Sequence, residues 1–207
     1  MSPTAPTIVT LVRHGETSAN VEGVWHGSID TALTPLGRSQ AERVAEHLAK
    51  TRGDASTLYA SPLTRARDTA EPIGARLRLA PRVEPDLREY HLGEWEGISY
   101  ATLMREHRLF ERMAAEPDWQ PGGGESARQV AERLAGSLRA IAARHPGERV
   151  IVVSHGGALT LGLGLLLDRD VSAWRRVMSN CAVSDLWFDP DPRLGVWNDV
   201  AHLADLA

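Results

Sequence analysis

The chain has 207 residues, 43% hydrophobic and 24% charged, with a formal net charge of −4 and one cysteine, Cys181. That length and balance suit a single globular domain with a sizeable core. The acidic total gives no basis for a duplex-binding surface, and a lone cysteine excludes an intrachain disulfide and a cysteine-based zinc site.

Residues 1–6 read as a loose tail without the basic and long apolar stretches of a signal peptide, so a reducing, cytoplasmic setting is the expectation. Ile8 to Val12 is a short apolar run, expected as a buried strand over 7–12. It stops at Arg13-His14-Gly15. Ligands of open α/β sheets bind at the C-terminal ends of the strands. A guanidinium there offers a fork of donors to an oxyanion. A neighbouring cation lowers an imidazole's pKa and keeps it nucleophilic. His14 is therefore a candidate to attack phosphorus; a strand end with two exposed polar side chains is the competing reading. The loop beyond Asn20 carries Trp25-His26-Gly27.

Thr34-Pro35 suits an N-cap and first helical position, and Leu36, Ala41, Val44, Ala45 and Leu48 form a helical stripe. A second strand is expected over 57–60. Ser61-Pro62 reads as another cap and first-turn proline, placing Arg65 in the first turn, where helix dipole and guanidinium act together on an anion. Arg67 falls on the opposite face. The plain alternative for Arg65 is a surface pair with Asp68. After a short strand near 79–83, three acids, Glu89, Glu94 and Glu96, compete as proton donors, and spacing does not choose among them.

Residues 99–116 read as helix, whole or broken in two. Leu103, His107, Phe110 and Ala114 share one face and Arg105, Arg108 and Arg112 another. Those arginines either grip a second anionic group of a ligand or form a solvated face paired with Glu106, Glu111 and Glu116; the solvated face is preferred. Pro121 to Ser126 is a flexible loop but not a P-loop, since no Gly-Lys-Ser/Thr follows. A long helix is expected over 126–144. Residues 149–154 form a strand that delivers His155, followed by Gly156-Gly157. An apolar helix over 156–167 comes next, its first amides suited to a phosphate; it is too short to span a bilayer. Ser154 lacks the nucleophile-elbow glycine, because residue 152 is Val152. Two strands over 181–188 and 194–202 would make an antiparallel hairpin around Asp189-Pro190-Asp191-Pro192, at or near the sheet edge. Their apolar character makes them candidates for pairing copies of the chain as a homodimer.

Two apolar strands that each end in His-Gly are hard to explain by packing. Leu11-Val12-Arg13-His14-Gly15-Glu16-Thr17 with Asn20 comes first. Ser61-Pro62-Leu63-Thr64-Arg65-Ala66 and Leu87-Arg88-Glu89 before Gly93-Glu94-Trp95-Glu96-Gly97 follow. The set closes with Val153-Ser154-His155-Gly156. Together these resemble the histidine phosphatase superfamily, the phosphoglycerate-mutase-like group, in order from about residue 7 to about residue 190.

The resemblance implies an α/β fold: a three-layer α/β/α sandwich with a mostly parallel central sheet, an antiparallel edge strand and a small helical lid over 99–120. One domain, 1–207, would hold it. It assigns the proton donor to Glu89 and makes Glu96 structural. His14 would form a phosphohistidine. Arg13, Arg65 and His155 would supply positive charge, and Asn20, His26, Gly27 and Gly156 would bind substrate. Trp25, His26, Tyr90 and Leu92 are candidates for the mouth. No metal or other cofactor is called for, because arginines neutralise the phosphoryl group.

The implied activity is hydrolysis of a phosphomonoester, a small phosphorylated metabolite, with no nucleic-acid or membrane partner. A cofactor-dependent phosphoglycerate mutase is the alternative, but family mutases carry a longer insertion than the residues 90–121 that separate Glu89 from Gly122 here. Trp174-Arg175-Arg176 mimics a mutase triplet at the wrong place in the chain. A silent phosphate- or partner-binding domain ranks last, since Arg13, His14, Arg65, Glu89 and His155 are all present.

Overall fold

The structure, a computed structural model, describes residues 5–171 and 176–206. Trp174 and Arg175 of the mutase-like triplet lie outside the described residues, as do the first four residues of the expected tail.

Six strands form one sheet in the order β3-β2-β4-β1-β5-β6. They are β1 (Thr7–Arg13), β2 (Ala55–Ala60), β3 (Arg82–Val83), β4 (Arg149–Ser154), β5 (Val183–Asp189) and β6 (Asp191–Leu194). The first four run parallel, and β5 and β6 are antiparallel. Helices α2 (Pro35–Thr51) and α3 (Thr64–Leu77) follow the short α1 (Ser18–Glu22). Then come α4 (Tyr100–Arg105), α5 (Leu109–Ala115), α6 (Ala127–Arg144) and α7 (Gly156–Leu163).

The inner strands β1, β2 and β4 are largely buried on both faces, and their alternation sorts the core into two layers. Val9, Leu11, Val150 and Val152 pack towards α6 and α7, against Leu134, Leu138, Ile141 and Leu159. Val12, Ile151 and Val153 point the other way, against Val44, Leu48, Ala70 and Ile73 of α2 and α3. The result is the expected α/β/α sandwich. α2 starts as its sequence predicts, with Thr34 Oγ1 accepting from Gly37 N at 2.9 Å and Pro35 at the first position.

Three local expectations differ. The Ser61-Pro62 start of α3 is not a cap: the N-cap is Leu63, which has no side-chain bond. Asp30, from a distant loop, accepts from Thr64 N instead, at 2.8 Å. Sequence periodicity cannot see a cap supplied across space. The final hairpin is also tighter than expected. The second strand is 191–194, and residues 201–206 form a 3-10 turn, with only a Val183–Asp199 bridge beyond it. Asp191-Pro192 looked like turn chemistry, yet proline is tolerated on an edge strand, where its missing N–H faces no partner. Finally, the apolar face of the 99–116 segment is Leu103, Leu109 and Met113, while Ala114 is exposed. The segment breaks at Arg108, which sits at φ +49°. That break rotates the second helix relative to a continuous 3.6-residue pattern.

Candidate active site

Strand register builds the site. β1 and β4 pair in parallel with Arg13 opposite Ser154. The next residue on each strand is a histidine, so the ladder delivers His14 and His155 side by side. His14 N donates to Ser154 O at 3.0 Å, and the two ring centroids are 5.1 Å apart. The β2–β4 ladder extends in the same way, with Ser61 N donating to Val153 O at 3.0 Å. Ser61 therefore lies beside His155.

A cleft of about 240 Å³ opens over these strand ends. Arg13, His14, Asn20, Arg65, Glu89 and Gly156 line it, as do His26 and Gly27. His155 is fully buried behind it and is not part of the lining.

His14 Nδ1 lies 2.7 Å from Gly15 O. A carbonyl only accepts, so Nδ1 carries the proton and Nε2 keeps a lone pair. Burial, reinforced by Arg65 and Arg13, holds the imidazole well below the ordinary histidine value. The ring is neutral and nucleophilic at pH 7.

Arg65 is buried, which excludes the surface pair with Asp68; Arg67 is exposed. Its Nε donates to His155 Nδ1 at 3.2 Å, and its two Nη atoms donate to Ile29 O at 3.0 Å and Gly27 O at 2.6 Å. A buried guanidinium without such partners would cost several kcal/mol. Because arginine only donates, His155 Nδ1 is the acceptor, and Nε2–H donates to Ser61 Oγ at 2.6 Å. Burial, then Arg65 and His14, push His155 far below its ordinary value. His155 is thus neutral, with both nitrogens engaged. In this arrangement it holds Arg65 rather than lending charge to an anion.

Arg13 donates from Nη1 to Met178 O at 2.6 Å, while its Nε is buried with no partner among the described residues. That orphan donor suits an anion in the cleft. Burial lowers the Arg13 pKa, and the facing Glu89 opposes the shift. Gly156 makes room for it: a Cβ there would lie 3.1 Å from the Arg13 guanidinium carbon.

Of the three competing acids, Glu89 lines the cleft. Glu94 is exposed. Glu96 is tied down by Ser28 N at 2.7 Å, Leu92 N at 3.3 Å and His91 Nδ1 at 2.8 Å. Glu89 accepts from Tyr90 N at 2.8 Å, Gly157 N at 3.0 Å and Ala158 N at 2.7 Å. The first amides of α7, expected to meet a phosphate, instead hold this carboxyl group. Tyr90 and Leu92 are fully buried and do not reach the mouth; Trp25 does line the cleft.

Asn20 shares a capping box with Thr17, and its Oδ1 also accepts from Asn180 Nδ2 at 3.1 Å. Its amide N–H2 is what remains for an anion. Asn180 also donates to His14 O at 2.9 Å. No motif marks Asn180, and Ser61, read in the sequence only as a helix cap within its motif, is here the partner of His155. Tyr100, Phe110 and Val177 line the cleft and were likewise unmarked as lining residues in the sequence.

The arginines of the 99–120 segment stand apart from the cleft lining. Arg108 pairs with Glu111, and Arg112 lies 3.7 Å over the Trp119 ring. None of Arg105, Arg108 and Arg112 lines the cleft. The Pro121–Ser126 loop is a packed turn: Glu125 accepts from Arg88 Nη2 and Arg133 Nε, both at 2.8 Å. Among the described residues, no three His, Cys, Asp or Glu side chains group to hold a metal ion. No described helix is long and apolar enough to cross a membrane.

Comparison with known proteins agrees with this geometry. A profile described as "Histidine phosphatase superfamily (branch 1)" matches residues 9–200. Phosphoglycerate mutase-like protein 4 of Arabidopsis thaliana is 38% identical, covering 95% of this chain and 87% of the relative. The metal-independent phosphoserine phosphatase of the same plant is 37% identical, covering 97% of this chain and 84% of the relative. The solved structure of a mycobacterial glucosyl-3-phosphoglycerate phosphatase complexed with VO3 superposes with a TM-score of 0.80 at 34% identity. That match covers 92% of this chain and 98% of the other.

Proposed function

We propose that this chain, which belongs to the histidine phosphatase superfamily and is a phosphatase/mutase-like enzyme, hydrolyses the phosphomonoester of a small metabolite without a metal. The observation that carries the proposal is the His14 ring. It sits at the cleft floor with Nδ1–H committed to Gly15 O and its other nitrogen free, flanked by Arg13 and Arg65.

The lone pair of His14 Nε2 attacks phosphorus, and the bond from phosphorus to the ester oxygen breaks. The Glu89 carboxyl group gives its proton to the departing alkoxide. Arg13, Arg65 and the Asn20 amide hold the phosphoryl oxygens, which carry the developing charge. His155 keeps Arg65 in place. Glu89, now a carboxylate, takes a proton from water as the water oxygen bonds to phosphorus. The phosphorus–nitrogen bond then breaks, returning the pair of electrons to His14 and releasing phosphate. His26 and Gly27 bind the substrate beside Arg65.

A mutase would have to retain a second anionic group while the phosphoryl group changes hydroxyls. Arg108 paired with Glu111, Arg112 stacked on Trp119 and Arg105 outside the cleft lining favour the hydrolase. Phosphoserine and glucosyl-3-phosphoglycerate are trial substrates by analogy with the relatives named for them.

A phosphate-release screen over phosphorylated metabolites, with EDTA present, tests the reading. Conversion of 3-phosphoglycerate to 2-phosphoglycerate is followed in parallel. Release without isomerisation is expected, unchanged by EDTA. Isomerisation that needs 2,3-bisphosphoglycerate, with little release, would establish the mutase. Activity lost to EDTA and restored by a divalent ion would overturn the metal-free mechanism.

A further inference from the structure

We propose that Arg133 of α6, locked to Glu125, is the positioning residue that aims the Glu89 carboxyl group at the leaving oxygen. The proposal rests on the hydrolase reading, in which Glu89 is the acid.

Residues 88–92, which carry Glu89, belong to neither a helix nor a strand. Such a segment has no ladder of its own to fix its path. Here one side chain does most of that work. Arg133 Nη1 donates to Asp86 O at 2.8 Å and to Arg88 O at 2.9 Å, and Nη2 donates to Glu89 O at 3.1 Å. The remaining donors go to Glu125, Nε to Oε1 and Nη2 to Oε2, both at 2.8 Å. Every N–H of the guanidinium is thus committed, and none is left for a ligand. Ser154 Oγ takes the intervening carbonyl, donating to Leu87 O at 2.8 Å. The clamp also closes on the far side of Glu89. Glu125 N donates to His91 O at 2.8 Å, and Glu125 Oε2 accepts from His91 N at 3.3 Å.

The start of α6 places the pair. Ser126 Oγ accepts from Gln129 N at 3.2 Å and Gln129 Oε1 accepts from Ser126 N at 2.8 Å, a reciprocal cap that fixes where the helix begins. Arg133 stands about two turns further along. Its side chain is 9% exposed and that of Glu125 15%. Burial pushes the Glu125 carboxyl group up, but the hydrogen bond and charge of Arg133, with the charge of Arg88, outweigh it and hold the group below its ordinary value. The pair therefore stays charged at neutral pH. A largely buried ion pair adds little net stability, because desolvation offsets the attraction. Its effect here falls on conformation. The Glu89 carboxyl group must meet the amides of Gly157 and Ala158 and face the cleft at once. Backbone drift of about 1 Å would break that alignment.

Arg133→Lys tests this, since it keeps the charge but replaces a planar fork with a single point of donors. It is expected to lower kcat/KM for an alkyl phosphate at least about tenfold, while the p-nitrophenyl phosphate burst, whose leaving group needs little acid help, stays within about twofold of wild type. Added to Glu89→Gln, it should slow the alkyl phosphate by less than about twofold more, because the group it positions is already gone. Equal losses on both substrates, or a larger further loss in the double variant, would overturn the proposal. Hydrogen exchange gives a readout that needs no turnover. The Gly157 and Ala158 amides should exchange faster in Arg133→Lys while the amides of α6 keep their protection. Unchanged exchange at Gly157 and Ala158, or loss spread through α6, would make Arg133 a packing residue and also overturn it. Should Arg133→Lys not fold, Glu125→Gln keeps Arg133, removes one acceptor oxygen and is expected to show the same pattern in both measurements. Glu89→Gln serves as the control. Equal losses there on both substrates would sink the acid reading and this proposal with it, whereas a selective loss in Glu89→Gln without one in Arg133→Lys overturns the positioning alone.

Discussion

Arg65 Nε donates to His155 Nδ1 at 3.2 Å, and the far end of the same guanidinium grips Gly27 O and Ile29 O. One side chain thus joins the second histidine to the 26–31 loop across the cleft. Lysine has the charge but not the fork, so it cannot reach all three partners. Arg65→Lys should lower kcat/KM by about 100-fold or more, in the range of losing one preorganised oxyanion donor. Steady-state kinetics on the best substrate of the release screen checks this, and a rate within about twofold of wild type would show that the charge alone suffices.

Glu89 is held by three backbone N–H groups, that of Tyr90 and two at the start of α7. Its assigned work is proton transfer to the leaving oxygen. Glu89→Gln keeps the shape and removes the proton. Alkyl phosphates should slow by about 10²–10⁴-fold, the usual weight of a general acid. p-Nitrophenyl phosphate, whose leaving group needs little help, should slow far less in the phosphorylation step. Equal losses on both substrates in pre-steady-state bursts would remove Glu89 from that role.

The histidine pair should show itself in pH dependence. Burial, aided by Arg65, depresses both rings below the ordinary value of about 6.5. In the folded state they stay neutral where the unfolded chain already binds protons. Stability is therefore full above the unfolded pKa and is lost as pH falls from about 6.5 towards the depressed folded value. Thermal melts between pH 7.5 and pH 5 should show a falling Tm, and His14→Gln should flatten that slope. The nucleophile likewise stays neutral below 6.5, so the acid limb of kcat/KM should not begin at the ordinary histidine value. A limb centred there, absent from His14→Gln with its residual rate, would contradict the burial argument.

Gly156 sits where a Cβ would press on Arg13 at 3.1–3.4 Å. The guanidinium can yield by a few tenths of an ångström, so the fold survives, but the phosphoryl donors shift. Gly156→Ala should cost about tenfold in kcat/KM, in keeping with the sensitivity of catalysis to small misplacements. Its Tm should change by only a few degrees. A large loss of stability without a specific kinetic defect would point to a packing role instead.

Much of this was legible in the chain itself. The apolar runs ending in Arg13-His14-Gly15 and in His155-Gly156 marked two parallel strands and the sheet edge where a ligand binds. The unbroken apolar runs marked strands buried in the core, and the helical stripe of α2 marked a face packed against them. Those signals are local, because strand and helix periodicity are written within a few residues. The proposed nucleophile, His14, and its adjacent arginine were readable for the same reason.

What the sequence could not determine involved partners distant along the chain. The Arg13–Ser154 register decided that the two histidines would meet. Spacing left three acids open and only the family resemblance pointed to Glu89; folding puts Glu89 in the cleft, leaves Glu94 in solvent and ties Glu96 to Ser28 and His91. The neutrality of His155 follows from donors on Arg65 and an acceptor on Ser61, ninety or more residues away. The cleft lining joins Trp25 to Tyr100 and Phe110, which no period or motif connects. Residue type states what a side chain can do. Burial, tautomer and pKa depend on what is packed around it, and that neighbourhood exists only in the tertiary structure.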